Sequence, residues 1–484
     1  MPTSIYNASL VTAMQQNRTV QTYYNRNFTA INAGRAIGKP ASEAPITVAE
    51  YRDSAILERC CDIVASAAVS DASGGGSGGD PIASYTFMAS AVMLPGAHPG
   101  MGTYFTYTGQ VESVDWGDGT TTQVVDGGPT TQTLLHTYAL AASFTVTIKG
   151  TAGSLSALSF YSAVQGSQVG VTGFNLAGSP ALISFDCRST GVTSLAGISA
   201  CPGLLTLLAS GSAVAGTVTI TSAIIQTIQL TGCVALTGLI ATGVAGLTTL
   251  GITGCSALAT FTVNGSALVS LDFTGCSGLI NVNLDSNSLL VFLGINMMPS
   301  AGLLTFTAAN CPALVSLDFT ANPVIQSVVC DNCTSLLAIT ALSNSALVTL
   351  FASGCTVLGG GGISLTGCTG LVNVDMSGCA SLLFLDLTGC TTLHSLYLSG
   401  CSSLTTITMT GVGQIQQVYA DGCALTQGTV DSILAQCWIS ETTYVSVSGT
   451  VDTSGGTSSG PSSAGQTYIV NLTTPPSTWN ITTN

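Results

Sequence analysis

From about residue 151 onward, apolar residues recur in one pattern: apolar, two residues, apolar, one residue, apolar, then a turn with Gly, Asn or Cys. The stretch GCSALATFTVNGSALVSLDFTGC contains two such units, each about eleven residues long. Each unit ends in a short strand whose alternate residues point into one core, and small residues allow the turn that follows. A single unit cannot bury its own apolar face. The pattern therefore predicts stacked coils that share a continuous core.

Pairs of units give a period near 22 residues, which is visible in the cysteines. The separation is 22 residues from Cys233 to Cys255, from Cys311 to Cys333, from Cys333 to Cys355 and from Cys401 to Cys423. Two units per coil place two parallel sheets face to face across a thin core. The array then holds roughly a dozen coils and is roughly 60 Å long.

The chain before the repeats has three segments that differ in composition. Residues 47–69 fit a capping box and an apolar stripe, which predict a helix. Residues 71–81 are a Gly/Ser linker, and the alternating apolar residues of 82–150 predict a small antiparallel β-sandwich. We predict a mainly β protein with the following segments: an N-terminal helical or extended anchor at 1–70, a linker at 71–81, a β-sandwich at 82–150, a solenoid of 21–22-residue coils at 151–437 and a C-terminal cap at 438–484.

Charge is scarce and unevenly distributed. Six of the eight basic residues lie between Arg18 and Arg59, and none follows Arg188, although ten acidic residues do. Without a basic surface to neutralise phosphates, the chain is not expected to bind nucleic acid. Mean hydropathy is high at +0.54, but Gly, Ser, Thr and Asn interrupt every apolar run before about 18 residues, so membrane insertion is not expected either.

Three stretches resemble known families. ALVSLDFTANPVIQSVVCDNC resembles bacterial leucine-rich repeats of the short type, which implies a repeat solenoid. The segment with WGDG and HTY is similar to a PKD-like module of the immunoglobulin fold, which implies structural roles for Trp116, Asp118, His136 and Tyr138. The end of the chain resembles caps that follow such repeats in proteins of phages and bacteria.

In that repeat family the turn commonly carries Asn or Cys, whose side chain points inward and bonds the turn backbone. By this resemblance Asn264 or Asn344 falls near the equivalent place, and eight cysteines occupy it: Cys255, Cys276, Cys311, Cys333, Cys355, Cys379, Cys390 and Cys401. A buried thiol ladder, disulfides and a metal site are the alternatives. We favour the thiol ladder, because parallel Cβ vectors resist the disulfide torsion and CDNC is a lone C-x-x-C.

Acidic residues offer a second set of candidates. Asp272, Asp318, Asp375 and Asp386 follow the central strand residue and are expected to point outward, either as a solvated row or as a weak Ca²⁺ or ligand-binding stripe. In DWGDG, Asp115 and Asp118 can cap turns or hold Ca²⁺. The sequence has three His and lacks the common catalytic motifs, so neither an enzyme nor a required cofactor is predicted.

The modules are typical of surface adhesins, whereas the N-terminus lacks a basic region followed by an apolar core. The hypothesis that reconciles these features is a structural phage protein on the virion exterior. Residues 1–70 would bind other virion proteins, and the solenoid would bind a host-surface glycan or protein. The protein is expected to form a homo-oligomer. The alternatives are a bacterial cell-surface or secreted adhesin and, less favoured, an ice-binding solenoid, because the T-x-T rows are not sustained.

Overall fold

A computed structural model describes most of the chain from residue 82 onward. The described residues are 82–90, 102–124, 131–138, 143–151, 155–160, 171–176, 181–293, 302–340, 344–444, 449–474, 477 and 479–484. The predicted anchor at 1–70, its helix at about 47–69 and the linker at 71–81 lie outside these residues.

The first strands form two facing sheets. Their bounds are β1 (Ile82–Ser90), β2 (Gly102–Thr108), β3 (Val111–Asp115), β4 (Thr121–Gln123), β5 (Gln132–Thr137), β6 (Ser143–Thr151), β7 (Ala157–Ser159) and β8 (Val171–Asn175). One sheet has the order β4-β3-β6-β1-β8, and β2 pairs antiparallel with both β5 and β7 in the other. Phe105 on β2 lies 5.8 Å, ring centre to ring centre, from the buried Trp116 that follows β3, so the two sheets share one core.

Strand pairing continues across residue 150, where the sequence predicted a boundary. β8 pairs antiparallel with β1, and β7 joins the sandwich strand β2 to the next parallel strands of the chain. The sandwich core is therefore continuous with the core of the repeats. The predicted domain limits stay a prediction.

The described residues that follow contain short strands at regular intervals, a 3-10 helix (Ala196–Ala200) and two α-helices. Their bounds are β9 (Ser184–Asp186), β10 (Thr206–Leu208), β11 (Ala215–Ile220), β12 (Thr227–Gln229), β13 (Ala235–Thr242), β14 (Thr249–Gly251), β15 (Thr260–Asn264), β16 (Ser270–Leu271), β17 (Asn281–Asn283), β18 (Phe292–Leu293), β19 (Thr305–Thr307), β20 (Ser316–Asp318), β21 (Ser327–Val329), β22 (Ala338–Thr340), β23 (Thr349–Phe351), β24 (Ile363–Ser364), β25 (Asn373–Asp375), β26 (Phe384–Asp386), β27 (Ser395–Tyr397), β28 (Thr406–Thr408), β29 (Gln417–Tyr419), α1 (Gln427–Tyr444), β30 (Thr450–Asp452), α2 (Ser463–Thr473) and β31 (Asn480–Thr482).

Successive strands alternate between two parallel faces. The continuous face is one twelve-stranded sheet, β11-β13-β15-β17-β19-β21-β23-β25-β27-β29-β30-β31. The interrupted face opposite it consists of β7-β9-β10-β12-β14 and three short sheets, β16-β18, β20-β22 and β24-β26-β28. Rings meet between the faces: Phe261 contacts Phe273 at 5.1 Å and Phe306 contacts Phe319 at 5.3 Å. The predicted fold class, a mainly β solenoid of coils near 22 residues, is confirmed.

The three apolar positions of each unit form the core between these faces. Leu382, Leu385 and Leu387 illustrate this, because all three are fully buried. The positions between them point outward, as the two-residue period of a strand requires. Each coil thus repeats one division between interior and exterior.

The corner of each coil explains why Gly precedes Cys. Gly400, before Cys401, has φ +77°, and Gly378, before Cys379, has φ +75°. Where the residue is not Gly it is Asn or Ser: Asn332 has φ +61°. The left-handed conformation suits these residue types, so the corner selects them.

The C-terminal segment closes the array. α1 packs against α2 and β28, and β30 and β31 add in parallel register to the continuous sheet. Glu441 on α1 is buried and accepts hydrogen bonds from Ser477 Oγ at 2.9 Å and Trp479 Nε1 at 3.1 Å. The predicted solenoid limit at 437 falls within α1, because periodicity alone does not reveal where a helix replaces the next coil.

We predict that Gly400→Ala destabilises the protein by about 1–2 kcal/mol, because an L-residue is strained at positive φ. An added Cβ there lies 3.9 Å from Gly378, so crowding adds nothing. The matched control is Gly360→Ala, where φ is not in the left-handed region and a Cβ meets nothing within 4 Å. Urea unfolding followed by circular dichroism measures both changes. Equal midpoints for the two variants would contradict the prediction.

Candidate functional site

The continuous face presents rows of hydroxyl and amide groups, one set per coil. Thr305 Oγ1 donates to Asn281 Oδ1 of the preceding coil at 2.7 Å. Near the other end, Tyr397 OH donates to Gln417 Oε1 at 2.7 Å, and the rings of Tyr397 and Tyr419 stack at 5.4 Å. Because strands of adjacent coils are in register, these groups form a fixed polar array.

The middle of this face is not open surface. Thr349, Asn373, Asp375 and Ser395 occupy outward positions on β23, β25 and β27, yet each is at most 5% exposed. Exposed or half-exposed polar positions lie on either side, from Thr260 to Ser327 and from Gln417 onward. The solvent-accessible polar groups of this face therefore lie on both sides of its middle.

The four candidate aspartates do not form one row. Asp272, Asp318 and Asp386 lie on the interrupted face, whereas Asp375 lies on the continuous face and is only 3% exposed. The expectation of a solvated position is therefore wrong for Asp375. Successive eleven-residue units alternate between the faces, and the motif around each aspartate did not reveal to which face its unit belongs.

Each aspartate on the interrupted face caps the turn that follows it. Asp318 Oδ1 accepts from the backbone N–H of Thr320 at 2.9 Å and from the Thr320 hydroxyl at 2.5 Å. Asp386 accepts the same pair of bonds from Thr388, at 2.9 and 2.6 Å. The threonine hydroxyl lowers the pKa of both carboxyls, so they stay ionised at neutral pH.

The corner cysteines form two ladders rather than one. Cys379 and Cys401 follow strands of the continuous face, whereas Cys390 follows a strand of the interrupted face. The eleven-residue spacing is therefore half a coil, and the 22-residue spacing places thiols directly above one another. Cys311, Cys333 and Cys355 belong to the first ladder, and Cys255 and Cys276 belong to the second.

Each ladder thiol bonds the previous coil. Cys255 Sγ donates to Leu230 O at 3.1 Å, Cys379 Sγ to Ala352 O at 3.2 Å and Cys390 Sγ to Leu365 O at 3.3 Å. The resemblance implied that each cysteine side chain bonds the turn backbone. In the structure, the carbonyl that accepts the thiol hydrogen bond belongs to the turn of the preceding coil. Each thiol therefore links two coils.

Asparagine takes the same corner in other coils. Asn287, which the sequence analysis missed, donates from Nδ2 to Val263 O at 2.7 Å and to Leu284 O at 2.6 Å. Asn344 occupies a corner as predicted and donates to Ile325 O at 3.1 Å. Asn264 instead ends β15, two residues before the corner residue Ser266. The spacing of eleven from Cys276 was the signal that identifies Asn287.

The fifteen cysteines of the described residues are all buried, and no disulfide joins them. Burial raises the pKa of Cys276 to about 11 and the pKa values of Cys255, Cys379 and Cys390 to about 12. In the described part of the chain, no group of three or more His, Cys, Asp or Glu side chains is arranged to hold a metal ion. These four thiols are therefore protonated core groups.

The four candidates of the sandwich lie together at one corner. Asp118 Oδ2 lies 2.8 Å from His136 Nε2, the His136 ring stacks on Trp116 at 4.7 Å, and Tyr138 OH donates to the Trp116 carbonyl at 3.2 Å. Asp115 Oδ1 and Asp118 Oδ1 accept from the backbone N–H groups two residues ahead, at 2.9 and 3.0 Å. These are turn-capping contacts. Gly117 adopts φ +79° against β6, where a Cβ would lie 2.5 Å from Thr145 O.

The described helices include none that is both long and apolar enough to cross a membrane.

Comparisons with known proteins return distant structural matches. No protein-family model matches this sequence, and no curated protein matches it. An internalin (InlF) from Listeria monocytogenes is similar over 58% of this chain and 77% of its own, with 12% identity and a TM-score of 0.25. The functional domain of InlJ from the same species, which includes a cysteine ladder, is similar over 56% of this chain and 74% of its own, with 17% identity and a TM-score of 0.20.

The stacked coils, two parallel faces and corner ladders described above define a leucine-rich-repeat β-solenoid. That assignment rests on the strand register and the repeated core positions of this chain.

We predict that the ladder thiols do not react with iodoacetamide in the native protein, because they are buried and protonated. Labelling at about pH 8, near the pKa of a free thiol, followed by chymotryptic digestion and mass spectrometry tests this. Cys255, Cys276, Cys379 and Cys390 are expected to gain the label only in urea. Rapid labelling of these residues without denaturant would contradict the prediction.

We also predict that Asp118 contributes pH-dependent stability. Hydrogen bonds from the Thr120 hydroxyl and from His136 lower the Asp118 pKa to about 2. A lowered carboxyl pKa contributes stability above the ordinary value near 4, and this is lost as the pH falls through about 2. Urea midpoints measured between about pH 5 and pH 2 should therefore fall less steeply for Asp118→Asn than for the unaltered protein. Parallel profiles would show that the carboxylate contributes nothing.

Proposed function

We propose that this chain is an attachment protein whose solenoid binds a molecule on a cell surface. The observation that carries the proposal is the polar array of the continuous face, typified by the bond between Thr305 and Asn281. Hydroxyl and amide groups held in register can both donate and accept hydrogen bonds, which suits a glycan or a polar protein surface. The rigid core beneath them means that binding does not have to order the site.

We further propose that the protein is a structural component of a phage virion, on the particle exterior. The order of segments supports this: an N-terminal segment that holds six of the eight basic residues and a Gly/Ser linker precede the sandwich and the long array. Residues 1–70 would bind other virion proteins, and the solenoid would face the host. Homo-oligomers are common among such appendages and would multiply weak individual contacts.

Cell binding by the full chain tests the attachment function. We predict that Asn281→Ala combined with Thr305→Ala lowers binding to host cells about tenfold, because the loss of two polar contacts removes about 1–2 kcal/mol. Ser270→Ala combined with Ser316→Ala is the matched control, because these hydroxyl residues are exposed on the interrupted face. Equal loss in both variants, or no loss in the first, would contradict the proposed site.

Density-gradient sedimentation of a lysate, followed by mass spectrometry of the fractions, tests the virion location. Chymotrypsin is the suitable protease, because no Lys or Arg follows Arg188. Co-sedimentation of peptides from 189–484 with intact particles is the expected result. Recovery in the cell envelope, or in particle-free medium, would overturn the virion location and favour a bacterial adhesin.

A further inference from the structure

A row of aliphatic side chains is exposed along the interrupted face. Its members are Val269, Val291, Val315, Leu337 and Leu383, with exposures of 56%, 43%, 37%, 57% and 46%. Each occupies the first outward position of its unit and comes immediately after a buried Leu. We call these five residues the aliphatic row.

Backbone hydrogen bonds join members of the row in adjacent coils. Val291 N–H donates to Val269 O at 2.9 Å, and Leu337 N–H donates to Val315 O at 2.9 Å, so these positions stack one per coil. Between Leu337 and Leu383, Gly359 takes the position: it bonds both neighbours at 3.3 Å but has no side chain. At about 4.8 Å per coil, the row from Val269 to Leu383 is about 24 Å long. It lacks a side chain at Gly359, and the strand pairing is interrupted between Val291 and Val315.

Negative charge lies beside the row in the same repeat units. Asp272, Asp318 and Asp386 each follow a row residue by three positions, and the threonine bonds described above keep Asp318 and Asp386 ionised. No Lys or Arg occurs anywhere in residues 189–484. The chain therefore supplies no counter-charge from this part of its own sequence.

A second copy of this chain does not fit the row well. Five half-exposed aliphatic side chains present on the order of a few hundred Å² of apolar surface, less than the roughly 800 Å² that each partner buries in a standard stable interface. Two copies would also bring their aspartates together. The row instead has the length and width of one α-helix.

The spacing supports a helix over a strand. Apolar residues on one helix face recur about every 5.4 Å, close to the coil spacing, whereas same-face residues of a strand recur about every 6.6–6.8 Å. A helix about 16 residues long matches the row. We propose that the aliphatic row binds a cationic amphipathic helix of a partner protein, whose apolar side chains pack on the row and whose Lys or Arg side chains pair with Asp272, Asp318 and Asp386.

The test uses the full chain and a labelled peptide of about 18 residues, with Leu at helical spacing on one face and Lys elsewhere. Fluorescence anisotropy at about 0.15 M ionic strength measures its binding. Val315→Ser combined with Leu337→Ser is expected to weaken binding at least about tenfold. The matched control is Ile224→Ser combined with Val470→Ser, two residues that are 50% and 60% exposed outside the row and should leave binding unchanged.

Charge is tested separately. Asp318→Asn combined with Asp386→Asn is expected to weaken binding several-fold and to reduce its salt dependence. A peptide with Glu in place of Lys is expected not to bind. Any of three results would overturn the proposal: no binding by the unaltered chain, unchanged binding by the row variant, or equal binding of the Glu peptide.

Sedimentation velocity of the unaltered chain and the row variant tests whether a second copy of the chain, rather than a helix, occupies the aliphatic row. Self-association that the row variant abolishes would identify a second copy and overturn the helix proposal. The row lies on the face opposite the proposed attachment site. The Asn281→Ala and Thr305→Ala variant is therefore expected to bind the peptide normally, and either proposal can fail alone.

Discussion

The solenoid depends on a carbonyl oxygen at each corner that accepts two hydrogen bonds. Leu230 O accepts the backbone N–H of Cys233 within its own turn, at 3.0 Å, and the thiol of Cys255 from the next coil, at 3.1 Å. A carbonyl oxygen has two lone pairs, and without the thiol the second lone pair of Leu230 O would have no partner in the buried corner. Cysteine meets the need because it combines a short donor with a side chain that packs as a small apolar group. Asn287 meets it with an amide instead.

An array built in this way needs an end, because the last strand of a parallel sheet has unpaired backbone groups. Here β30 and β31 extend the continuous sheet beyond the last regular coil, and α1 and α2 pack beside them. The buried Glu441 has two neutral donors, Ser477 and Trp479, which satisfy its carboxylate within the closure. At the other end the antiparallel sandwich pairs directly with the first coils of the interrupted face, through β7 and β9.

Because the core and corners take up only the inward positions, the outward positions are free to differ between faces. The continuous face carries hydroxyl and amide groups, and the interrupted face carries an aliphatic row beside aspartates. A polar array and an apolar, acidic row suit different ligands. The two faces can therefore serve attachment and partner binding without sharing residues.

The sequence by itself determined the repeat, its period and the inward positions. Every coil buries apolar residues at the same positions, so these residues recur along the chain with a fixed period. It also indicated buried thiols, since Gly-Cys recurs at each turn. It did not reveal that Cys379 and Cys390 lie on different edges, that Asp375 is shielded, or that Val315 and Leu337 align. Those facts depend on which strands share a face and on how coils stack, and residues 22 positions apart become neighbours only in the tertiary structure. The helix α1 was missed for a related reason: its buried side is set by contacts with the last coils and α2.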